Sequence, residues 1–431
     1  MQTFGIGLAG LGNVGAGVFK HLTQNRTLLR ERLGYELAVQ KIAIRDPRKD
    51  RGIDVPVEML TTDWEELLDD PAVHIVVELM GQKRESLALI LGAIQRKKIV
   101  VTGNKALLAE HGKEIFEAAT THKVPVFFEA AVAGGIPIIK AIREGFVANH
   151  IQSIHGIING TSNYILTRMT EAGMGFTAAL AEAQAAGYAE ADPSLDVNGG
   201  DASHKAVILA SLAYGFWVPM EKIFIEGIEA LTAGDIQFAD KLGYRLKLLA
   251  HIKANTGGAI EVRVHPTLIP KTHVLASVNG VFNAIAVKGD VVGETLFYGR
   301  GAGQDATSSA VIADITEAAD ALLSPRRNLG FMPHGLYGTC QPIDDIVSEF
   351  YVRLSVEDRP GVIAQIAGIL GDLSIGISSI LQPESEDEGA TVPLVLMIHK
   401  ATNGQMSAAL DRIGALECVK KPPRMIRVEH F

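Results

Sequence analysis

From Thr3 to Glu129, short apolar runs alternate with stretches whose apolar positions recur at helical spacing. TFGIGLAGLGNVGAGVFKHL passes from a strand through clustered glycines into a helix. LAVQKIAIRD (Leu37–Asp46), HIVVELM (from His74), KIVVTGNK (from Lys98) and Val124–Glu129 are further predicted strands, separated by helical segments such as SLALILGAIQRK. This rhythm predicts an α/β doubly wound parallel sheet. From Ile151 to about Val292 the pattern changes to longer strands, SIHGIING and AIEVRVHP, around a long helical region, which predicts a second, α+β domain for substrate and dimerisation. After Gly303, DATSSAVIADITEAADALL reads as a helix with Asp305 and Thr307 as candidate caps, returning to the first domain. From Glu349 the order is strand, helix, strand, strand, helix, strand, which is ferredoxin-like. The predicted division is therefore 1–149 with a return segment at about 303–340, then 150–302, then 349–431. An acidic SEDEG turn at 385–389 is the one charge-biased stretch.

Composition narrows the class. With 47% hydrophobic and 21% charged residues the chain reads as globular throughout, and its formal charge of −9 argues against a nucleic-acid partner. Cys340 and Cys418 are too few for a disulfide framework or a metal cluster and point to a reducing, cytoplasmic setting. The longest apolar run, Ala206–Val218, is too short to span a bilayer, and the N-terminus reads as strand and turn rather than as a signal peptide.

The first domain carries a cofactor signal. Gly10, Gly12 and Gly15 form GLGNVG between a strand and a helix, the context in which this motif predicts a Rossmann-type dinucleotide site. The amides of Asn13 and Val14 would then face the pyrophosphate, at a helix N-terminus that favours anions. At the end of the second strand Arg45, Arg48 and Lys49 favour the 2'-phosphate of NADP, while Asp46 could serve the ribose of NAD. The plainer reading of this charge run is a solvated loop.

Chemistry concentrates in AQAAGYAEADPSLDVNGGDASHKAVILA. Asp201 and Lys205 are four apart on one face at the head of a helix that is apolar all round, so they would lie buried in a cavity rather than as an exposed ion pair. Glu190, Asp192 and Asp196 precede them in a stretch broken by Pro193 and Gly199. Carboxylates suit a substrate ammonium group, and a lysine near an alcohol or aldehyde oxygen can transfer a proton while hydride moves. Lys105, after VVTGN at a strand's carboxyl end, is a second candidate.

Ala183, Gly187, Tyr188, Glu190, Asp192, Pro193, Asp196, Gly199, Asp201 and Lys205 stand at the spacings of the homoserine dehydrogenase signature, and the chain resembles that family. VTGNK (Val101–Lys105), NGTSNYI (Asn159–Ile165) and GRGAG (Gly299–Gly303) extend the resemblance, and DRPGVIAQIAGIL makes the C-terminal unit similar to an ACT domain. The resemblance implies interconversion of L-homoserine and L-aspartate 4-semialdehyde with NADP or NAD, in threonine, methionine and isoleucine biosynthesis. It implies Lys205 or Lys105 as proton carrier, and Glu190, Asp201, Asp196 and Thr161 as substrate contacts. Gly187, Gly303 and Lys105 match positions near the cofactor. EAAVAGGIP matches a monovalent-cation loop, in which Glu129 and the carbonyls of Val132, Gly134 and Ile136 would hold sodium. The ACT-like unit implies a homodimer or homotetramer and an amino-acid effector at the Asp358–Gly361 turn, with L-threonine as the natural candidate. The Rossmann segment at the chain start corresponds to the monofunctional form. An acylating semialdehyde dehydrogenase would need a cysteine nucleophile, which neither cysteine's position supplies. The remaining alternative is a non-catalytic amino-acid sensor of the same architecture.

Overall fold

The computed structural model describes residues 1–255, 257–324, 330–383 and 391–431, so the SEDEG segment and part of the return segment lie outside the described residues. Strands β1 (Thr3–Ala9), β2 (Glu36–Ala43), β3 (Leu60–Thr61), β4 (Ile75–Glu78), β5 (Ile99–Thr102) and β6 (Val126–Phe127) form an all-parallel sheet in the order β3-β2-β1-β4-β5-β6. β4 and β5 are buried on both faces, which is why they read as continuous apolar runs. Successive residues feed opposite layers. Val76 and Val100 join the core shared with the rest of the molecule, whereas Val77 and Val101 face the Asn13–Gln24 and Gln304–Leu323 helices.

That last helix is the return of the chain to the first sheet. It seals the sheet with Val311, Ile315 and Ala318, and it crosses the Asn13–Gln24 helix so closely that a Cβ on Gly17 would lie 2.7 Å from Gln304. Its expected caps do not form. Gly303 is the N-cap without a side-chain bond, Asp305 instead pairs with His21 Nε2 at 2.8 Å, and Thr307 already lies inside the helix. The strand expected over Val124–Glu129 shortens to Val126–Phe127, because the chain turns at Glu129–Ala131 into a single 3-10 turn.

The second sheet contains β7 (Ile151–Ile157), β9 (Tyr244–Ala254), β10 (Ala259–Pro270), β11 (Phe282–Gly289) and β12 (Gly293–Arg300), paired antiparallel in the order β12-β11-β7-β9-β10. One face carries the helices Gly160–Glu171, Gly200–Tyr214 and Ala233–Lys241. On the other, His155, His251 and His265 are buried together beside Glu429 and Phe431.

The C-terminal unit is not a separate sheet. Its strands β14 (Val347–Glu357), β15 (Ile377–Leu381), β16 (Thr391–Thr402) and β17 (Val419–Val428) lie in the order β17-β14-β16-β15 and continue the second sheet, because β17 pairs in parallel with β10 at Thr267 and Leu268. Two short strands, β8 (Phe224–Ile225) and β13 (Thr339–Cys340), pair with β10 farther along. A buried ion pair fastens the join. Arg353 of β14 meets Asp235 at 2.6 and 3.2 Å, and Asp235 also closes a capping box with Thr232 at the start of the Ala233–Lys241 helix. Among the described residues no helix is long and apolar enough to cross a membrane.

Candidate active site

The glycine loop is shaped by backbone packing. Gly10 has φ 100°, and a Cβ there would sit 2.5 Å from the Leu79 carbonyl oxygen, while one on Gly15 would sit 2.1 Å from that of Gly10. Gly12 differs, because its missing Cβ would meet no protein atom within 4 Å. The strand-to-helix turn is thus closed by Gly10 and Gly15 and left open at Gly12, as the approach of a ligand to the backbone requires. The first amides of the helix that begins at Asn13, those of Asn13, Val14 and Gly15, have no acceptor within the helix, which leaves them able to donate to an anion. Gln304, directly after Gly303, donates to the Asn13 carbonyl at 2.9 Å.

A cleft of about 420 Å³ opens from Gly10 and Gly12 and is lined by Arg45, Asp46, Lys49, Arg51, Trp64 and Gln82. Turned to satisfy both of its ends, the Gln82 amide oxygen accepts from Arg45 at 2.8 Å. Asp46 accepts the Arg48 backbone N–H at 2.9 Å, and Arg48 itself points to solvent. Arg51 escaped the sequence reading. Its guanidinium donates to the carbonyls of Leu11, Lys49 and Asp46 and so folds the loop over the cleft, and its only trace in the sequence is the third arginine of the RDPRKDR run.

The second cluster forms where the Gly200–Tyr214 helix packs against the Lys105–His122 helix and β10. Asp201 Oδ1 meets Lys105 Nζ at 2.7 Å, and Asp201 Oδ2 meets Lys205 Nζ at 2.7 Å. Lys205 also donates to the Ile158 carbonyl at 2.7 Å. Asn159 caps the Gly160–Glu171 helix through its side-chain oxygen and donates from Nδ2 to Asp201 at 2.9 Å and to Asp196 at 2.7 Å. Asn159 stood in the sequence only as the first residue of the NGTSNYI motif, with no role given to it, and the Ile158 carbonyl had no signal, since a backbone acceptor leaves no residue signature. Lys205 is enclosed at 9% side-chain exposure, whereas Lys105 stands at 42% and reaches Asp201 from the side of the first domain.

Electrostatics separates the partners. Burial alone would raise the Asp201 carboxyl, but Lys205 and Lys105 outweigh it and hold it below the ordinary carboxylate range. Burial pulls the Lys205 ammonium below the ordinary lysine range, reinforced by Lys105 and opposed by Asp201. A buried lysine with a lowered pKa and a fixed carboxylate beside it is arranged to exchange a proton.

The other candidates are less uniformly placed. Asp196 is linked to the cluster through Asn159, and Thr161 donates to the Tyr188 carbonyl at 2.7 Å. Glu190 is exposed, and among the described residues nothing bonds its carboxylate; only its carbonyl is held, by Gln184. Gly187 has φ 74° at the end of the Phe176–Ala185 helix and does not line the cleft. Glu129 is buried, with its two carboxylate oxygens accepting the amides of Ile139 and Lys140 at 2.8 Å each. The Val132 and Gly134 carbonyls have no hydrogen-bond partner among the described residues, the Ile136 carbonyl accepts the Ile138 amide, and Ala133 is held at φ 50°. A left-handed alanine between two unmatched carbonyls is a strained arrangement of the kind found at ligand sites.

Residues 137–316 match the homoserine dehydrogenase family, residues 10–129 the homoserine dehydrogenase NAD-binding domain, and residues 350–418 the ACT domain. The chain is 46% identical to a homoserine dehydrogenase of Pseudomonas aeruginosa over the whole of both chains, and 45% identical to that of Synechocystis sp. over 99% of this chain and all of the relative. A solved homoserine dehydrogenase from Thiobacillus denitrificans superposes with a TM-score of 0.93 at 43% identity, covering 100% of this chain and 99% of the other. A hyperthermophilic archaeal homoserine dehydrogenase in complex with NADPH gives 0.64 at 27% identity, covering 76% of this chain and 100% of its own.

Proposed function

The chain belongs to the homoserine dehydrogenase family and is an NAD(P)-dependent oxidoreductase of that activity, and from this premise we propose how its residues divide the work. The observation that carries the reading is the enclosed Lys205–Asp201–Lys105 cluster at the junction of the cofactor domain and the second domain. A nicotinamide held over the glycine loop would supply the acceptor for the hydride of the substrate carbinol carbon. In that direction Lys205, as the neutral amine, takes the hydroxyl proton as the C=O bond forms; in the other its ammonium returns the proton to the aldehyde oxygen. The downward direction of its shift supports this role, since burial makes the ammonium give up its proton more readily than an exposed lysine does. Asp201 keeps the two lysines apart and oriented, and Lys105, the more open of the two, is the alternative proton carrier. Asp196 and Thr161 are assigned to the substrate's amino-acid end, and exposed Glu190 would have to swing inward to join them.

For the cofactor, the basic lining of the cleft supports NADP as the preferred dinucleotide, with Arg45 and Lys49 on the 2'-phosphate. For a monovalent cation we propose Glu129 with the carbonyls of Val132, Gly134 and Ile136, supported by the two unmatched carbonyls. Turnover unchanged when sodium is replaced by a bulky organic cation would remove that assignment. The ACT domain supports feedback by an amino acid such as L-threonine, a homodimer or homotetramer measurable by sedimentation, and with it a cytoplasmic biosynthetic enzyme. The test of the central assignment is Lys205→Met. It should lower kcat for homoserine oxidation by about 10²-fold or more while NADPH binding persists. Wild-type turnover would move the proton transfer to Lys105.

A further inference from the structure

Lys247, on β9, is a buried charge that the reaction as described does not use. It is 1% exposed. Its Nζ donates to the side-chain oxygens of Asn163 at 3.2 Å and Asn279 at 3.1 Å and to the Val278 carbonyl. The three donors of an ammonium group are thus matched by three acceptors, all of them neutral. A buried lysine without a carboxylate partner is costly, and a methionine would fill the same space without that cost.

What the charge secures is the loop from Val278 to Phe282. Asn163, in the Gly160–Glu171 helix, donates from Nδ2 to the carbonyls of Val278, Gly280 and Phe282 at 3.2, 2.9 and 3.2 Å. Thr167, one turn on, accepts the Gly280 amide at 3.0 Å. The loop in turn abuts the start of that helix, where a Cβ on Gly160 would lie 2.8 Å from the Val281 carbonyl oxygen. Immediately before Gly160 come the two groups that hold the reactive cluster: the Ile158 carbonyl on Lys205 and the Asn159 amide on Asp201 and Asp196.

We propose that Lys247 is a positioning residue for the dehydrogenase reaction, fixing loop 278–282 against the Gly160–Glu171 helix so that Ile158 and Asn159 present Lys205 and Asp201 in register. The inference rests on the role given to that pair. Burial pulls the Lys247 ammonium down to about 7, Arg245 on its own strand adds to this, and Glu171 of the helix opposes it. The facing residue of β10, Thr267, and the loop residues Val278 to Phe282 are uncharged. Above that pH the neutral amine offers two N–H groups to three acceptors, so the loop's hold weakens as pH rises.

The experiment uses the full-length enzyme and Lys247→Met. Displacements well under an ångström matter at a reacting centre, and the variant should lose about tenfold or more in kcat at an unchanged dissociation constant for NADPH. Amides of residues 159–162 and 278–282 should exchange faster with solvent. After correction for intrinsic rates, their exchange in the wild type should quicken as pH rises through 7, and in the variant it should not. Wild-type kcat and exchange in Lys247→Met would overturn the proposal, as would a loss confined to melting temperature with normal turnover per folded site. Should that variant not fold, exposed Asn279→Ala removes one acceptor and is expected to lower kcat about threefold, and an unchanged kcat with unchanged exchange overturns the proposal equally. Lys205→Met separates the two readings: if it stays active the catalytic assignment fails, whereas an inactive Lys205→Met beside a normal Lys247→Met sinks the positioning role alone.

Discussion

Replacing Arg353 with Met tests whether the ion pair under the ACT domain holds the sheet together. Asp235 is fully buried and accepts from Arg353 at 2.6 and 3.2 Å, from the Thr232 backbone N–H at 2.9 Å and hydroxyl at 2.7 Å, and from the Tyr351 hydroxyl at 3.3 Å. Methionine keeps most of the apolar stem and removes the charge, leaving a buried carboxylate with neutral donors only. Stranding one partner of a buried pair costs roughly 3–5 kcal/mol. The lower end applies here, about 3 kcal/mol, because the capping bonds remain and part of the arginine already meets water. Asp235→Asn leaves an arginine that can turn outward and should cost about 2 kcal/mol. Since both changes break the same pair, the double variant should cost about as much as Arg353→Met alone, which is a coupling of about 2 kcal/mol. Urea unfolding of the four proteins, followed by circular dichroism and by loss of activity, supplies the cycle. Arg353→Met within about 0.5 kcal/mol of wild type, or strictly additive single variants, would refute the reasoning.

Arg45→Ala should weaken NADP by about 1.5–3 kcal/mol and NAD far less, because it removes a charge-assisted contact to the phosphate; equal losses in titrations of both would contradict the pairing. L-Threonine should inhibit the full-length enzyme, and Asp358→Ala at the turn before the Val362–Asp372 helix should relieve inhibition with basal kcat retained; a flat threonine titration to millimolar levels with no calorimetric heat would leave the domain structural. Burial, helped by the cations and rings around them, holds His155, His251 and His265 well below the ordinary imidazole value, so the native state binds fewer protons than the unfolded chain once pH drops under about 6.5. Their contribution is full above that value and is lost as pH falls. The melting temperature should therefore decline between pH 7 and 5, less steeply in His251→Asn, and identical slopes would exclude the cluster as the cause.

The sequence carried the architecture where a single periodicity decided it. GLGNVG between strand and helix, the runs IVVE and IVVT, and the ACT-like order of elements all depend on local pattern, and each is where the pattern indicated. The parts that escaped depend on contacts distant in sequence. Nothing local to Thr267 or Arg427 says that β17 will pair with β10, and nothing in GGDASHK says that Ile158 will offer its carbonyl to Lys205. Asp305 looked like a cap because it stands one residue into a helix, yet His21 from another helix claims it. Lys247 had no signal at all, because KLL in an apolar strand reads as any lysine whose head escapes to water, and only the folded loop shows it cannot.

The outer edge of β10 is covered by three pieces of chain made at different times: β8 before it, β13 some way after it, and β17 at the very end. On the ribosome, β10 therefore waits for its last partner through roughly eight to thirty seconds of synthesis at about 5–20 residues per second. An apolar strand with an unpaired edge is a template for wrong pairing during that interval. The upstream β8 is well placed to shield its middle until the C-terminus arrives. Chains stopped shortly before Val419 would keep the whole reactive cluster yet leave the Thr267–Leu268 edge bare, and would be expected to reach the cell's quality-control machinery rather than its metabolite pool.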